Sequence, residues 1–503
     1  MDWFPLIALS PIILIILLMF VFKRPLIFTG LVTYFFTLLI AIYVWKIKTI
    51  YVFASTIKGV LVAIDITIII FGAIFFLEFL KRTGMIESIE TYLSKISPDR
   101  RIQAIILAWF MVSFIEGTAG FGTPAAIVAP LLVGIGFPAV TAVALALIGD
   151  STAVVFGAVG TPIRIGFEGL ATNGVAFYAG LINLVAGIFV PVMMLIVLIY
   201  SSKNKYKGAI TDAIPFSIWA GLCLTIPYFL LTYVGQEFPS LAGPIIGLAI
   251  LIFTTKKGFF VPRKVWRFGK NPYPIKSKIK ITTALIPYFL LIALLVGGKY
   301  VLKKYSLNIL GVLSQGINTY NPGISFIIAI LIFAIFYKYK TGKIINNSFK
   351  KSLKILIKPF IIMFFIVAFV QIMINSGNNT LNIESMIDLI ASFANTKLLP
   401  FVAPFIGAFG AFIAGSATVS NLLFGPFQAT AAADLGMSVA IILALQVVGA
   451  GLGNMVALTN IVAAQATVNL RNKEVEIFKM TIIPALVYGV IVGLIGLILT
   501  HLL

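Results

Sequence analysis

The stretch FIEGTAGFGTP, residues 114–124, decides the fold of this chain together with the related stretch FIAGSATVSN at residues 412–421. Both place glycines and hydroxyl side chains, and in the first case the acid Glu116, inside segments otherwise apolar enough to lie in lipid. An unpaired backbone group in hydrocarbon is so costly that an interrupted helix is tolerated there only where it lines a cavity. Two such interruptions at matching places in two halves of a chain are typical of the substrate site of a secondary transporter.

The composition indicates a membrane protein. Of the 503 residues, 60% are hydrophobic and 11% are charged, whereas soluble domains carry about 25% charged residues. Apolar runs long enough to cross a bilayer of about 30 Å recur along the whole chain. The sequence therefore predicts an all-α polytopic membrane protein with about twelve to fourteen transmembrane helices. Shorter helices at 103–115, 122–135 and 421–433 are interpreted as broken or re-entrant pieces.

The formal net charge of +21 has two possible readings. In a soluble protein it would indicate nucleic acid, but here the bases lie in loops, where they set orientation and contact anionic lipid headgroups. The densest basic segments are 256–280, with nine Lys or Arg, and 338–358, with seven. We expect both to be cytoplasmic loops of a plasma-membrane protein, and counting spans back from them places the N-terminus outside the cell. No binding of nucleic acid is expected.

The sequence lacks the residues that metal binding, hydrolysis and ATP-driven pumping would need. The only cysteine, Cys223, lies in an apolar segment, and the only histidine, His501, lies near the C-terminus. The sequence contains no HExxH motif, no Ser–His arrangement and no GxxxxGK[ST] loop. It therefore predicts no metal site, no cofactor and no enzyme activity. The first apolar run lacks a basic leader and a small-residue cleavage site, so no cleavable signal peptide is expected.

An internal repeat relates the two halves. Phe114 corresponds to Phe412 and Ile163 to Ile461, each with an offset of 298 residues. The loop 81–101 is basic, but its counterpart, 376–397, has Lys397 as its only base and reads as external. Opposite orientation of related units predicts an inverted repeat with the site between the copies. The predicted divisions are an N-terminal two-helix unit, a first repeat, intervening helices with basic loops, and a second repeat, at 1–50, 51–207, 208–340 and 341–503.

The chain strongly resembles the L-lactate permease family. The resemblance is carried by KRTGMIESIETYLSKISPDRRIQ (81–103), FIEGTAGFGTP, ALIGDSTAVVFGAVGTPI (146–163), RKVWRFGK (263–270) and GSATVSNLLFGPFQATAAADLG (415–436). It covers nearly the whole chain. It implies transport of lactate and similar 2-hydroxymonocarboxylates, with a proton as the coupling ion.

The chain departs from the family pattern at several positions. Where the family usually reads GSDTSSN, Ala417 replaces the acid, and where it has a GKMISPQ-like segment, Asn454 takes the basic position. The joint loss of an acid and a base suggests, as a hypothesis, that they are partners elsewhere in the family. Asp150 stands where the family tends to have Asn, and Arg164 and Glu168 add a charge pair.

The two breaks supply candidate substrate ligands. Helix N-termini offer free N–H groups and partial positive charge to a carboxylate, and glycines allow close approach to the backbone. The alternative is that glycines and hydroxyls only permit close helix packing in lipid. The predicted substrate-binding residues are Gly117, Thr118, Gly120, Gly122, Thr123, Ser151, Thr152, Ser416, Thr418, Ser420, Asn421, Gln446 and Asn454. For Gln446 and Asn454, hydrogen bonding between helices is an equally open reading.

Glu116 and Asp150 are the predicted proton-coupling residues. An acid near the membrane centre is costly, and burial favours its neutral form, which would let it bind and release a proton. Glu116 could instead cap the N–H groups of the hairpin break. Asp150 could be the N-cap of the following helix segment.

Two further charged residues have open roles. Arg164 could contact the anion through its planar fork, or it could pair with Glu168 four residues later. Asp65, inside an apolar segment, is expected to pair with Lys58.

The sequence thus predicts a secondary carrier for lactate or a similar 2-hydroxymonocarboxylate, coupled to protons. A sodium-coupled or exchange carrier for another small organic anion is the alternative, because unwound carbonyl groups at the breaks could hold Na⁺. An anion channel is the reading from a different class, and it would favour continuous rings of lining groups over paired breaks.

Overall fold

The structure is a computed structural model of the whole chain. It describes residues 3–120, 122–202, 208–267, 279–301, 304–318, 321–336, 341–394 and 396–502.

Helices form most of the described chain. Eleven described α-helices lie before residue 202. They are α1 (Phe4–Ile16), α2 (Leu26–Tyr43), α3 (Thr49–Arg82), α4 (Met85–Leu93), α5 (Arg100–Ile105), α6 (Val112–Thr118), α7 (Thr123–Gly134), α8 (Ala139–Val154), α9 (Gly157–Arg164), α10 (Val175–Ala186) and α11 (Val190–Ser201). Wider π-helical turns at Leu17–Val21 and Ile106–Met111 follow α1 and α5, and a 3₁₀ turn at Gly187–Phe189 joins α10 to α11.

The remaining elements include the only two strands among the described residues. They are α12 (Ile214–Leu230), a 3₁₀ turn (Leu231–Tyr233), α13 (Pro239–Lys256), α14 (Ile281–Val301), β1 (Lys304–Ile309), β2 (Leu313–Asn318), α15 (Pro322–Phe336), α16 (Thr341–Asn375), α17 (Met386–Phe393), α18 (Leu399–Ala414), α19 (Ala417–Asp434), α20 (Val439–Asn454), α21 (Leu458–Thr467) and α22 (Glu474–Leu502). The strands form an antiparallel hairpin that the sequence analysis did not predict.

The predicted fold class, an α-helical polytopic membrane protein, is confirmed. In the described ranges, nine helical segments are long and apolar enough to cross a membrane, or eleven when each bent helix pair is counted as one span. That number is below the predicted twelve to fourteen. The difference lies in four apolar helices of only 10–17 residues, which hydropathy alone does not separate from full spans.

The three predicted broken or re-entrant pieces are arms of two helical hairpins. Ser420 Oγ in α19 donates a hydrogen bond across 2.8 Å to the carbonyl oxygen of Gly407 in α18, 13 residues earlier. A continuous helix would separate these positions by about 20 Å, so the chain reverses between α18 and α19. In the first half, α7 likewise packs back against α6 and the π turn that precedes it.

Each hairpin is followed by a broken helix. The axes of α8 and α9 meet at 56°, and those of α20 and α21 meet at 41°. Hairpin and broken helix therefore occur in the same order in both halves, close to the offset of 298 residues read from the sequence.

The halves pack on each other reciprocally. α2 packs on α16 as α15 packs on α3, α7 packs on α21 as α19 packs on α9, and α8 packs on α22 as α10 packs on α20. Such exchange of contacts is expected of two related units around a two-fold axis. The inversion of the two units across the membrane stays a prediction.

One predicted loop is wrong in part. The basic segment 338–358 was expected to be a cytoplasmic loop, but from Thr341 onward it is the first part of α16. Lysines seldom end a helix, because they are good helix formers that can extend into the aqueous phase. Residues 338–340 of this segment lie outside the described residues, as do residues 268–278 of the other basic segment.

A buried ion pair anchors the start of the first hairpin. Asp99 caps α5, because its Oδ1 accepts a hydrogen bond from the Arg101 N–H across 2.9 Å, and the Arg101 side chain pairs with it at 2.7 Å. Arg101 also donates to the carbonyl oxygens of Ala209 at 2.8 Å and Lys264 at 2.6 Å. Asp99 Oδ2 in turn accepts from the Trp266 N–H across 3.0 Å. This pair fixes two connecting segments to the helix that leads to Glu116.

Candidate functional site

One small cavity collects parts of both hairpins and both broken helices. It encloses about 290 Å³, including its open mouth. Its lining residues are Glu116, Gly120, Val154, Gly157, Ala158, Thr161, Pro162, Gly415, Ser416, Ala417, Thr418 and Asn454. The two sequence stretches that were singled out first therefore meet at one place.

Glu116 and Asp150 form a carboxyl pair beside this cavity. Their carboxyl groups lie close enough to interact directly, and two acids in contact away from water favour a state in which one of them carries a proton. Both are buried, with 4% and 2% of their surfaces exposed. Glu116 Oε2 and Asp150 Oδ1 have no hydrogen-bond partner among the described residues. The pair can therefore hold a proton next to the space that a ligand would occupy.

The structure bears differently on the two alternative structural roles. Glu116 Oε2 accepts no hydrogen bond from the described residues, and a capping role for Glu116 stays an alternative, since the break includes Phe121, which lies outside the described residues. Asp150 was considered as an N-cap, but it lies inside α8, four residues before that helix ends. The N-cap interpretation of Asp150 is therefore wrong.

Gly157 allows the carboxyl group of Glu116 to lie against the backbone of the first broken helix. A methyl group at position 157 would overlap Glu116 Oε1. The next three residues have left-handed backbone angles, with φ of 41° at Ala158, 53° at Val159 and 80° at Gly160. A β-branched residue in this region costs on the order of 1–3 kcal/mol, and such strain is often found at functional sites.

The opposite wall is the beginning of α19. Gly415, with φ of 65°, ends α18 in the left-handed conformation that glycine adopts most easily. Ser416 then caps α19, because its Oγ accepts from the Val419 N–H across 3.4 Å. The N–H groups of Ala417 and Thr418 begin the helix on the cavity wall and have no partner among the described residues. Free N–H groups and the positive end of the helix dipole make this wall suitable for an anion.

Asn454 closes the cavity at the end of α20. It is 7% exposed, and its Oδ1 has no hydrogen-bond partner in the part of the chain that the structure describes. Ala417 and Asn454, the two positions that lack the expected acid and base, line the same cavity.

Three of the predicted ligands instead connect helices. Gln446 Nε2 donates to Ser420 Oγ at 3.1 Å and to Asn421 Oδ1 at 3.2 Å. Asn421 Nδ2 donates to the carbonyl oxygen of Pro162 at 2.9 Å. Gln428, which the sequence analysis did not single out, donates to Gln446 Oε1 at 2.7 Å. Ser420, Asn421 and Gln446 are not among the residues that line the cavity. The position of Gln446 matches the alternative role of hydrogen bonding between helices.

The other predicted residues of the first hairpin also lie outside the lining. Gly117 packs against the backbone of Ser240, and Gly122 faces Asn460. The hydroxyl groups of Thr118 and Thr123 donate to the carbonyl oxygens of Ile115 and Gly120, each at 2.8 Å. Of the described residues of this stretch, Gly120 and Glu116 line the cavity.

Ser151 and Thr152 belong to a buried network behind the cavity. Ser151 Oγ donates to the carbonyl oxygen of Ile148 at 2.8 Å, and Thr152 Oγ1 accepts from Trp109 Nε1 at 3.0 Å. The Thr152 carbonyl oxygen accepts from the Tyr228 hydroxyl at 2.6 Å. This network satisfies the carbonyl end of α8, which the break would otherwise leave unpaired.

Sequence reasoning missed the lining residues of α9. Gly157, Ala158, Thr161 and Pro162 all line the cavity. The signal was present, because Gly-Thr-Pro at 160–162 repeats the Gly-Thr-Pro at 122–124.

Arg164 is placed away from the cavity lining. Its Nη2 lies 3.7 Å from Asp65 Oδ2, so Asp65 pairs with Arg164 and the expected pairing with Lys58 is wrong. Glu168 Oε1 accepts from Gln315 Nε2 in β2 at 2.9 Å. Arg164 thus takes part in a charged cluster near the β-hairpin.

Comparison with known proteins agrees with the sequence resemblance. The L-lactate permease of Escherichia coli (strain K12) is 29% identical, with 91% of this chain and 89% of the relative covered. The glycolate permease GlcA of the same organism is 26% identical over 98% of this chain and 95% of its own length. The crystal structure of the Alcanivorax borkumensis YdaH transporter covers 86% of this chain and 84% of its own at 14% identity, with a TM-score of 0.46, too low to support an argument. The profile of the L-lactate permease family matches residues 5–304 and 306–503, and this chain belongs to that family.

Proposed function

We propose that this protein is a secondary transporter that moves lactate or a similar 2-hydroxymonocarboxylate across the plasma membrane together with a proton. It is a membrane protein of a permease family, not an enzyme. The substrate class is supported by relatives named as permeases for L-lactate and for glycolate. The observation that carries the proposal is the cavity where Glu116 of one hairpin faces the beginning of α19 from the other.

The electrostatics of the cavity support an anion as the substrate. The N–H groups at the beginning of α19 supply partial positive charge. Within the described residues, no Lys or Arg lines the cavity. The substrate carboxylate is therefore held by the backbone N–H groups of Ala417 and Thr418, which favours weak, reversible binding suited to transport.

The carboxyl pair supports a proton as the coupling ion. Two carboxyl groups in contact and away from water hold a proton between them more readily than two negative charges. Import of a monoanion against an inside-negative potential costs about 2.3 kcal/mol per 100 mV, and one co-transported proton cancels that charge. We assign the proton to Glu116 and Asp150, with Glu116 as the member that lines the cavity.

The paired architecture supports alternating access. Reciprocal packing of the halves fits two inverted units that rock around a central site. We propose that the repeats at 51–207 and 341–503 are the two units that move against each other. Because α2 packs on α16 as α15 packs on α3, each unit is proposed to include the helix that precedes it, α2 or α15. The N-terminus is proposed to lie outside.

The test is uptake of labelled lactate into proteoliposomes under separately imposed pH and sodium gradients. Accumulation driven by an inward proton gradient, with saturation and counterflow, is the expected result. Accumulation driven only by sodium would replace the proton assignment with the sodium alternative. Conductance without saturation or counterflow would indicate a channel and overturn the carrier mechanism.

Glu116→Gln tests the proton assignment directly. The variant is expected to lose pH-driven accumulation but keep lactate counterflow, because exchange needs no net proton movement. Glu384→Gln is the matched control, since Glu384 is an exposed acid that does not line the cavity. If Glu116→Gln still accumulates lactate in response to pH, Glu116 is not the proton carrier.

A further inference from the structure

Asn454 is a buried polar side chain that holds no other element in place. Outside the hydrogen bonds of α20 itself, its main-chain carbonyl oxygen accepts from Asn460 Nδ2 across 3.4 Å. Its side-chain Oδ1 is buried without a partner among the described residues. A buried acceptor without a donor is costly, so a residue in this state on a cavity wall points to a donor that arrives with the ligand.

None of the described groups on the walls around Asn454 donates a hydrogen bond to its Oδ1. Ala417 and Gly415 face the same cavity and carry no polar side-chain group. Ser416 Oγ accepts from the Val419 N–H as the cap of α19, and Thr161 Oγ1 donates to the carbonyl oxygen of Ala158. Among the described lining residues, the free N–H groups of Ala417 and Thr418 are the donors best placed for an anion.

A 2-hydroxymonocarboxylate has the matching arrangement of groups. Its carboxylate accepts hydrogen bonds, and its hydroxyl group, on the adjacent carbon, donates one. An unsubstituted monocarboxylate has the first group but lacks the second. The cavity likewise offers donors at α19 and a single unpaired amide acceptor at Asn454.

We infer that Asn454 is the specificity-determining residue that recognises the 2-hydroxyl group, while the beginning of α19 binds the carboxylate. This inference rests on the proposed function and adds to it the orientation of the substrate. The hydroxyl group donates to Asn454 Oδ1, and the carboxylate lies against the N–H groups of Ala417 and Thr418. A substrate without the hydroxyl group leaves Asn454 unpaired, and sites built to bind a hydroxyl group discriminate strongly against analogues that lack it.

The test compares lactate with propionate, which differs by the absence of that hydroxyl group. Initial rates of labelled lactate and propionate uptake are measured in proteoliposomes for wild type, Asn454→Leu and Asn454→Asp. The readout is the ratio of kcat/KM for the two acids, which a general folding or assembly defect does not change. Asn347→Leu is the matched control, because Asn347 is exposed on α16 and does not line the cavity.

Asn454→Leu is expected to lower the lactate-to-propionate ratio by about 10- to 100-fold, through loss of lactate transport alone. Asn454→Asp keeps an acceptor oxygen, so its ratio stays near that of wild type although its added charge lowers both rates. If Asn454→Leu does not fold, Asn454→Ala removes the same acceptor without adding volume.

An unchanged ratio in the Leu or Ala variant would overturn the inference, as would a wild-type protein that does not prefer lactate to propionate. Both results leave the proposed carrier function standing. Failure of wild type to transport any 2-hydroxymonocarboxylate would refute the proposed function itself, and the inference with it.

Discussion

Asn421 Nδ2 donates a hydrogen bond to the carbonyl oxygen of Pro162 across 2.9 Å, joining residues that lie 259 positions apart in sequence. The bond connects α19 in the second hairpin to α9 in the first broken helix. Both residues are buried. Since Pro162 lines the cavity, the wall formed by the first half is held in place by a side chain from the second.

Asn421→Leu is expected to destabilise the protein and reduce transport. The substitution leaves the Pro162 carbonyl oxygen buried without a donor, at a cost of about 1–3 kcal/mol. Thermal unfolding in detergent and lactate uptake in proteoliposomes measure the two effects. Asn347→Leu, at an exposed position, controls for the loss of an amide. An unfolding temperature equal to that of wild type would show that the bond does not hold the two halves together.

Gly157→Ala is expected to abolish transport with little change in the amount of folded protein. The new methyl group would overlap Glu116 Oε1, so the carboxyl group must leave its position beside Asp150. Gly134→Ala is the matched control, since nothing lies within 4 Å of a Cβ added there. Normal lactate accumulation by Gly157→Ala would contradict the close approach of Glu116 to the broken helix.

The sequence predicted the breaks and their meeting point because burying polar groups in lipid has few solutions. Glu116 in an apolar segment requires a partner, and Asp150 is another acid in the same half. Which hydroxyl and amide groups face the cavity could not be predicted in the same way. Ser420 and Gly120 each belong to a polar cluster at a break, yet only Gly120 lines the cavity. That difference depends on helix rotation and on neighbours such as Gln446, which are set by tertiary packing rather than by local pattern.

The pairing of Asp65 was missed for a related reason. Lys58 lies seven residues from Asp65, two helical turns away, and local spacing made it the natural partner. The partner in the structure, Arg164, comes from a different helix. Contacts between distant segments leave no periodic signal in a single sequence.

Arg101→Lys is expected to destabilise the protein by about 3–5 kcal/mol. Arg101 is 1% exposed and donates to Asp99 and to two main-chain carbonyl oxygens from separate segments. A lysine has no planar fork and cannot make this set of bonds. Thermal unfolding and the rate of proteolysis between α13 and α14 are the measurements.

Arg82→Lys is the matched control for that substitution. The Arg82 side chain is 38% exposed and lies 3.6 Å from Glu78, and exposed ion pairs contribute about 0–1 kcal/mol. Equal effects of the two substitutions would contradict a structural role specific to Arg101.

Glu90, in α4 outside the membrane-spanning segments, is expected to make stability depend on pH. Burial and then the nearby charge of Glu87 raise the pKa of Glu90 from 4.5 to about 7, although Lys81 opposes the shift. Between these values the folded chain holds a proton that the unfolded chain has released. The free energy of unfolding therefore falls as pH rises from 4.5 to about 7, by about 1–3 kcal/mol.

Glu90→Gln removes this contribution, because the amide stays neutral at every pH. The variant is therefore expected to match wild type near pH 4.5 and to be more stable than wild type above about pH 7. Thermal unfolding measured across this range tests the expectation, with Glu384→Gln as the control at an exposed acid. If the unfolding temperatures of wild type and Glu90→Gln change with pH in parallel, the folded protein accommodates the Glu90 charge at no cost, for example by turning the Glu90 side chain towards water.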